Sequence, residues 1–116
     1  MKNRRHADRS YTYAKVVIVE FDEIGYMRDM SPTGVRIELF NAVELEPEME
    51  TIATIIPHQD LDIPPFNMHV QVRWIGDNGP TTSVGLLSEH FQTREGKEYY
   101  RRLLEVFNNI KKENTV

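Results

Sequence analysis

A chain of 116 residues has room for one domain and one adequate core. Apolar residues make up 40% and charged residues 28%, an ordinary globular composition, and the absence of cysteine excludes a disulfide framework and thiolate chemistry. The formal net charge of -4 is unevenly laid out: residues 1–15 carry Lys2, Arg4, Arg5, Arg9 and Lys15 against Asp8, a sum of +4, which leaves -8 on the rest. An acidic body with a basic leader is poorly built to grip a long nucleic acid, whose affinity comes mostly from phosphate neutralisation; it suits a small anion held locally.

No apolar stretch follows the basic start, as a secretion signal would require, and the longest apolar run, Val16-Val17-Ile18-Val19, is far too short to span a bilayer. A cytoplasmic protein without membrane insertion is expected. Residues 1–10 show no apolar periodicity and read as an arm that is mobile when free. Tyr11 to Phe21 is β-branched and aromatic, a first strand with Val16 to Val19 buried on nearly both faces. Asp22-Glu23 turns the chain into a second strand, Ile24 to Met30. Ser31-Pro32-Thr33-Gly34, with proline second and glycine fourth, favours a type I turn. Val35, Ile37 and Leu39 then alternate with Arg36 and Glu38, the pattern of a half-buried strand.

Asn41 to Glu50 is acidic, contains Pro47 and reads as a surface connection. Thr51 to Ile56 is a strand ended by Pro57, and Pro64-Pro65 keeps Asp60 to Phe66 out of any central strand. Met68, Val70, Val72 and Trp74 alternate with His69, Gln71 and Arg73, which predicts Trp74 on the core face. Asp77-Asn78-Gly79-Pro80 is a turn and Thr82 to Phe91 the returning strand. Thr93 is a good N-cap for a helix over about 94–111, with an apolar stripe of Tyr99, Leu103, Phe107 and Ile110 widened by Tyr100, Leu104 and Val106. Five or six short strands followed by one helix predict an all-β fold, a small antiparallel barrel over 11–111 with the C-terminal helix closing one end and 112–116 as a tail.

Two motifs carry chemistry. Arg5-His6-Ala7-Asp8-Arg9 sets two arginines four apart in the arm, and Asp29-Met30-Ser31-Pro32-Thr33-Gly34 sets an aspartate, a serine and a glycine about a turn. In an extended segment Asp29 and Ser31 project to the same side, and Gly34 allows a positive φ or a close approach by a ligand. Arginine grips phosphate bidentately and lies flat on a purine; a carboxylate accepts from the guanine N1–H and N2–H₂. Together the two motifs complement a guanine nucleotide. His6, His58, His69 and His90 lack metal-ligand spacing, Ser31 has no histidine in a nucleophile context, and no phosphate-cradling loop motif is present. No metal, cofactor or catalytic residue is expected, and the chain reads as a binding protein rather than an enzyme.

With those residues in place, the chain resembles the PilZ domain family of bacterial cyclic di-GMP receptors, as a stand-alone single-domain member. The family pattern, R-x-x-x-R followed after one strand by [D/N]-x-S-x-x-G, is met by Arg5, Arg9, Asp29, Ser31 and Gly34. Pro32-Thr33 departs from the smaller residues of many members. The resemblance implies a six-stranded antiparallel β-barrel with a C-terminal helix, and a receptor that binds cyclic di-GMP through those five residues, orders its arm on binding and signals to a protein partner; a monomer is expected. Arg4 stands where the family position influences whether one ligand or a stacked pair is held, and is otherwise a solvated arm charge. Trp74 lies on a strand where some members set a tryptophan near a guanine, and is otherwise core. Arg36 could reach phosphate, or be a solvated strand residue. Two rival readings stand beside this one: a PilZ-like adaptor that binds protein and no nucleotide, although such adaptors usually lack the arginine pair, and a small barrel binding single-stranded nucleic acid, which the -8 body opposes.

Overall fold

The computed structural model describes residues 14–40 and 44–114. Its elements are β1 (Ala14–Ile18), β2 (Glu23–Ser31), β3 (Gly34–Leu39), β4 (Glu50–Pro57), β5 (Phe66–Asn78), β6 (Thr81–Phe91) and the helix α1 (Arg94–Asn114). The strands close into one antiparallel barrel in the order β1-β2-β3-β6-β5-β4, with β4 returning to β1. The sequence pattern had called for this architecture, and its cause is the alternation of apolar residues: Val16, Ile18, Ile37, Leu39, Ala53, Ile55, Met68, Val70 and Val72 all point inward at 0% exposure. Each aliphatic side chain so buried contributes about 1.5–3 kcal/mol.

The helix plugs one end of this barrel. Thr93 caps it by accepting the Gly96 N–H on its Oγ1 at 3.0 Å. Tyr100, Leu103 and Phe107 form the buried line, with Tyr99, Leu104 and Val106 at its margins. The face is thus turned toward Tyr100 relative to the predicted stripe, the helix runs on to Asn114, and the Ile110 side chain lies outside the described residues. Phe66 at the start of β5 and Phe91 at the end of β6 meet Tyr99 and Tyr100 there, with ring centroids 5.3–6.4 Å apart.

Two expectations fail for identifiable reasons. Val19 is 50% exposed and not buried, because Val19–Phe21 leaves the ladder as a 3-10 turn. Asp22 stops that turn at φ 51°, its N–H returned to the Val19 carbonyl at 3.3 Å; aspartate tolerates this left-handed geometry better than most residues. Trp74 is 45% exposed and does not join the core face of Met68, Val70 and Val72. Val72 pairs with Leu86 and Trp74 with the adjacent Gly85, so Arg73 is an extra residue in β5. A bulge of this kind reverses the side-chain alternation beyond it and sends the indole outward. Arg28 plays the same part in β2, between the Met27–Ile37 and Asp29–Arg36 pairs.

Candidate functional site

The two bulges frame a cleft of about 330 Å³ on the outer surface of β2, β3, β6 and β5. Its floor is a row of cross-strand neighbours: Asp29 pairs with Arg36, Arg36 with Gly85, and Gly85 with Trp74. With strands about 4.8 Å apart, the row spans about 14 Å. A carboxylate stands at one end, an indole at the other, and a guanidinium between. Arg73, the bulge residue of β5, adds a second cation to the lining. Without the bulge at Arg28, Asp29 would face the core; with it, Asp29 and Ser31 both line the cleft while Met30 between them is buried.

Asp29 Oδ1 accepts the Met30 N–H at 3.0 Å, which fixes the carboxylate beside its own strand and leaves the other oxygen to the cleft. Ser31 organises the turn that follows. Its Oγ accepts the Thr33 N–H at 3.2 Å, lies 3.4 Å from Thr33 Oγ1 and reaches the Gly34 carbonyl at 3.5 Å. Ser31 is nonetheless exposed, so these local bonds coexist with access from solvent. Gly34 departs from its sequence reading in mechanism. Its φ is not positive, and the close approach it permits is to its own sheet: a Cβ there would collide with the Leu86 carbonyl oxygen on β6 and stand 3.3 Å from the carbonyl carbon. The residue lets β3 and β6 pair closely beneath the cleft.

A participant that sequence reasoning missed is Tyr100. Its hydroxyl reaches down from α1 to the carbonyls of both Ser31 and Gly34, at 2.7 and 3.0 Å, and so spans the turn between β2 and β3. Burial pushes the phenol well above its ordinary value, which keeps it a donor. The signal was present in the sequence as two adjacent tyrosines in the apolar stripe, but a hydroxyl's target cannot be read from helical period.

Beside the cleft, Arg28 and Glu38 are matched to each other. Arg28 Nε donates to Glu38 Oε1 at 2.7 Å and Thr81 Oγ1 donates to Glu38 Oε2 at 2.8 Å, which accounts for a glutamate only 8% exposed where a solvated one was expected. Among the sequence candidates, Asp29, Ser31, Gly34, Arg36 and Trp74 are brought to one cleft. Arg4, Arg5 and Arg9 lie outside the described residues. Among the described residues no group of three or more histidine, aspartate or glutamate side chains is arranged to hold a metal ion, and no helix is long and apolar enough to cross a membrane.

Two solved structures share this architecture. The PilZ domain with c-di-GMP of YcgR from Escherichia coli matches with a TM-score of 0.59 at 16% identity, covering 89% of this chain and 86% of that one. The barrel has the fold of a PilZ domain. The Borreliella burgdorferi PlzA protein in complex with c-di-GMP matches with a TM-score of 0.51 at 10% identity, covering 96% of this chain and 50% of that one, so this chain spans half of PlzA. No family model and no curated protein matches the sequence.

Proposed function

We propose that this PilZ-fold protein is a cyclic di-GMP receptor, not an enzyme, and that it answers the ligand by ordering its basic N-terminal segment and presenting the new surface to a protein partner. The observation that carries the reading is the row Asp29–Arg36–Gly85–Trp74 with Ser31 beside it: an acceptor for a guanine edge, cations for phosphate and an aromatic face within one cleft. The two matched structures are each described with c-di-GMP, which supports the same ligand here.

The strand directions favour a role for the arginine motif. Lys15 pairs with Tyr26, three residues before Asp29, and β1 runs opposite to β2, so β1 begins at the end of the barrel that holds Asp29 and Ser31. Arg9 is five residues and Arg5 nine residues before Ala14, spans of about 17 and 30 Å at about 3.3 Å per extended residue, enough to reach a cleft about 14 Å wide. In this reading Arg5 and Arg9 hold phosphate and stack on the bases, Asp29 accepts from guanine, Ser31 supports the base edge or phosphate, and Gly34 lets β3 and β6 pair closely beneath them. Arg4, Arg36 and Arg73 supply further positive charge.

Ordering the arm costs about 1–2 kcal/mol per residue. Charge-assisted hydrogen bonds of about 1.5–3 kcal/mol each, with base stacking, must exceed that by the roughly 8 kcal/mol of a micromolar complex. Two arginines, one carboxylate and a stacked ring are enough only for an arm that folds over few residues. The test is calorimetric titration of cyclic di-GMP into the full chain, with Arg9→Ala beside it. Saturable binding that weakens at least about tenfold in the variant is expected (about 1.4 kcal/mol); no heat with submillimolar ligand, or a variant that binds as the parent does, overturns the reading. A second reading, a protein adaptor without a nucleotide, is favoured by the aromatic pair Tyr26–Phe40 on the outer surface near β1, centroids 5.5 Å apart, with Phe40 52% exposed; the absence of heat would select it.

A further inference from the structure

Trp74 is held in an unusual way for a large exposed side chain. The indole of Trp74 lies against glycine. A Cβ built at Gly85, its cross-strand partner, would collide with Nε1 and Cε2 and stand 2.8 Å from Cδ1. At Gly76, two residues further along the same strand face, a Cβ would stand 3.7 Å from Cζ3 and 3.9 Å from Cε3. The pyrrole half of the ring therefore rests where a side chain at position 85 would be, and the benzene half runs toward position 76. Gly85 is buried although it belongs to the outward row, because the indole covers it.

We infer that Gly85 is a positioning residue: by leaving its side-chain volume empty it seats the Trp74 ring flat on β6, with the other face turned to the cleft as a stacking platform for a planar base. The inference rests on the receptor reading for the identity of the base, and on the geometry alone for the seat. Any side chain at 85 would lift the ring off the sheet and tilt it, either out into solvent or across Arg36, the other neighbour of Gly85. Base–aromatic stacking is sensitive to such tilting and is sequence-tolerant by itself, so the seat supplies a base-binding face while Asp29, three strands away, supplies the preference for guanine. The bulge at Arg73 and the glycine at 85 act together: one turns the indole outward, the other gives it a place to lie.

Trp74 is the single tryptophan of the chain, so its emission reports on the seat directly. The experiment compares the parent, Gly85→Ala, Trp74→Ala and the double variant Gly85→Ala/Trp74→Phe, first without ligand and then titrated with cyclic di-GMP. Without ligand, Gly85→Ala should red-shift the emission and raise its quenching by acrylamide. With ligand, parent emission should change on saturation, and both single variants should bind about tenfold more weakly, the loss of one stacked base. The double variant, whose smaller ring fits above alanine, should bind more tightly than Gly85→Ala, a rescue that mere damage to the sheet would not show. Gly85→Ala with parental emission and quenching overturns the seat, whatever the ligand result. Cyclic di-GMP binding by the parent with no change in emission, or parental affinity in Trp74→Ala, overturns the stacking role while leaving the receptor reading intact. Absence of binding to the parent overturns the receptor reading and the platform's base, and leaves the seat to be judged by emission. Circular dichroism checks that Gly85→Ala retains the barrel; if it does not, parental affinity in Trp74→Ala still decides against the platform.

Discussion

The β2–β3 and β5–β6 hairpins both turn in two residues, Pro32-Thr33 and Gly79-Pro80, but they solve the turn differently. Gly79 sits at φ 74°, the glycine-first geometry of a type II′ turn, which follows the natural twist of paired strands. Nothing lies within 4 Å of where its Cβ would stand, so it is the backbone angle and not crowding that calls for glycine there. Neither Pro32 nor Thr33 has a positive φ, so the first hairpin turns in a manner that tends to splay its strands. It is held closed from within by the Ser31 hydroxyl and from outside by the Tyr100 hydroxyl on two carbonyls and by the Ser88 N–H on the Thr33 carbonyl at 2.8 Å. The hairpin that carries the candidate motif is thus held by several tertiary bonds at the turn itself, while the other turns on its glycine and is tied to the next strand beside the turn, by Thr81 Oγ1 on Glu38.

Four changes would break or sharpen that contrast, taken from the largest effect down. Leu103→Ala empties the fully buried centre of the helix contact and should cost about 2–5 kcal/mol in chemical unfolding, with the first hairpin exchanging its amide hydrogens faster than the second. Equal acceleration at both turns would show that α1 does not hold the first one. Asp29→Ala should weaken cyclic di-GMP by at least about tenfold, about 1.4 kcal/mol, and should erode the preference over cyclic di-AMP. Equal losses for the two nucleotides would remove Asp29 as the guanine reader. Tyr100→Phe keeps the ring packing and deletes the clamp; a loss of about 1 kcal/mol is expected from thermal melts, accompanied by weaker nucleotide binding. A variant that melts lower yet binds unchanged would separate the clamp from the site. Pro80→Ala, at the glycine-first turn, should cost about 0.5 kcal/mol through the unfolded chain and leave affinity as it was.

The architecture was legible because it follows from periodicity. Strands with apolar residues every second position, punctuated at Asp22, Pro32, Pro57 and Gly79, can hide those residues only by closing on themselves, and the change to helical spacing after Thr93 marked the lid. Asp29 and Ser31 were legible as co-facing for the same reason. Trp74 was misplaced because Met68, Val70, Val72 and Trp74 keep a perfect apolar alternation through Arg73, and a bulge leaves no mark in hydrophobicity. The mark it did leave is across the sheet: glycines at 76 and 85, which have no reason to flank a core tryptophan. Val19 was misplaced by a run of four apolar residues that the αL aspartate cuts short. Tyr100's bonds depend on where α1 docks, a fact set by the aromatic cluster of Phe66, Phe91 and Tyr99 and by no single segment of sequence.

Closure of the barrel also limits how this molecule can speak to others. With β4 hydrogen-bonded back to β1, no strand is an open edge along its whole length, and the margins left are short stretches where β2 outruns β1 and β5 outruns β4. Under the proposed function, a partner would therefore read chiefly side-chain relief, and a cleft filled or left empty is a change in that relief.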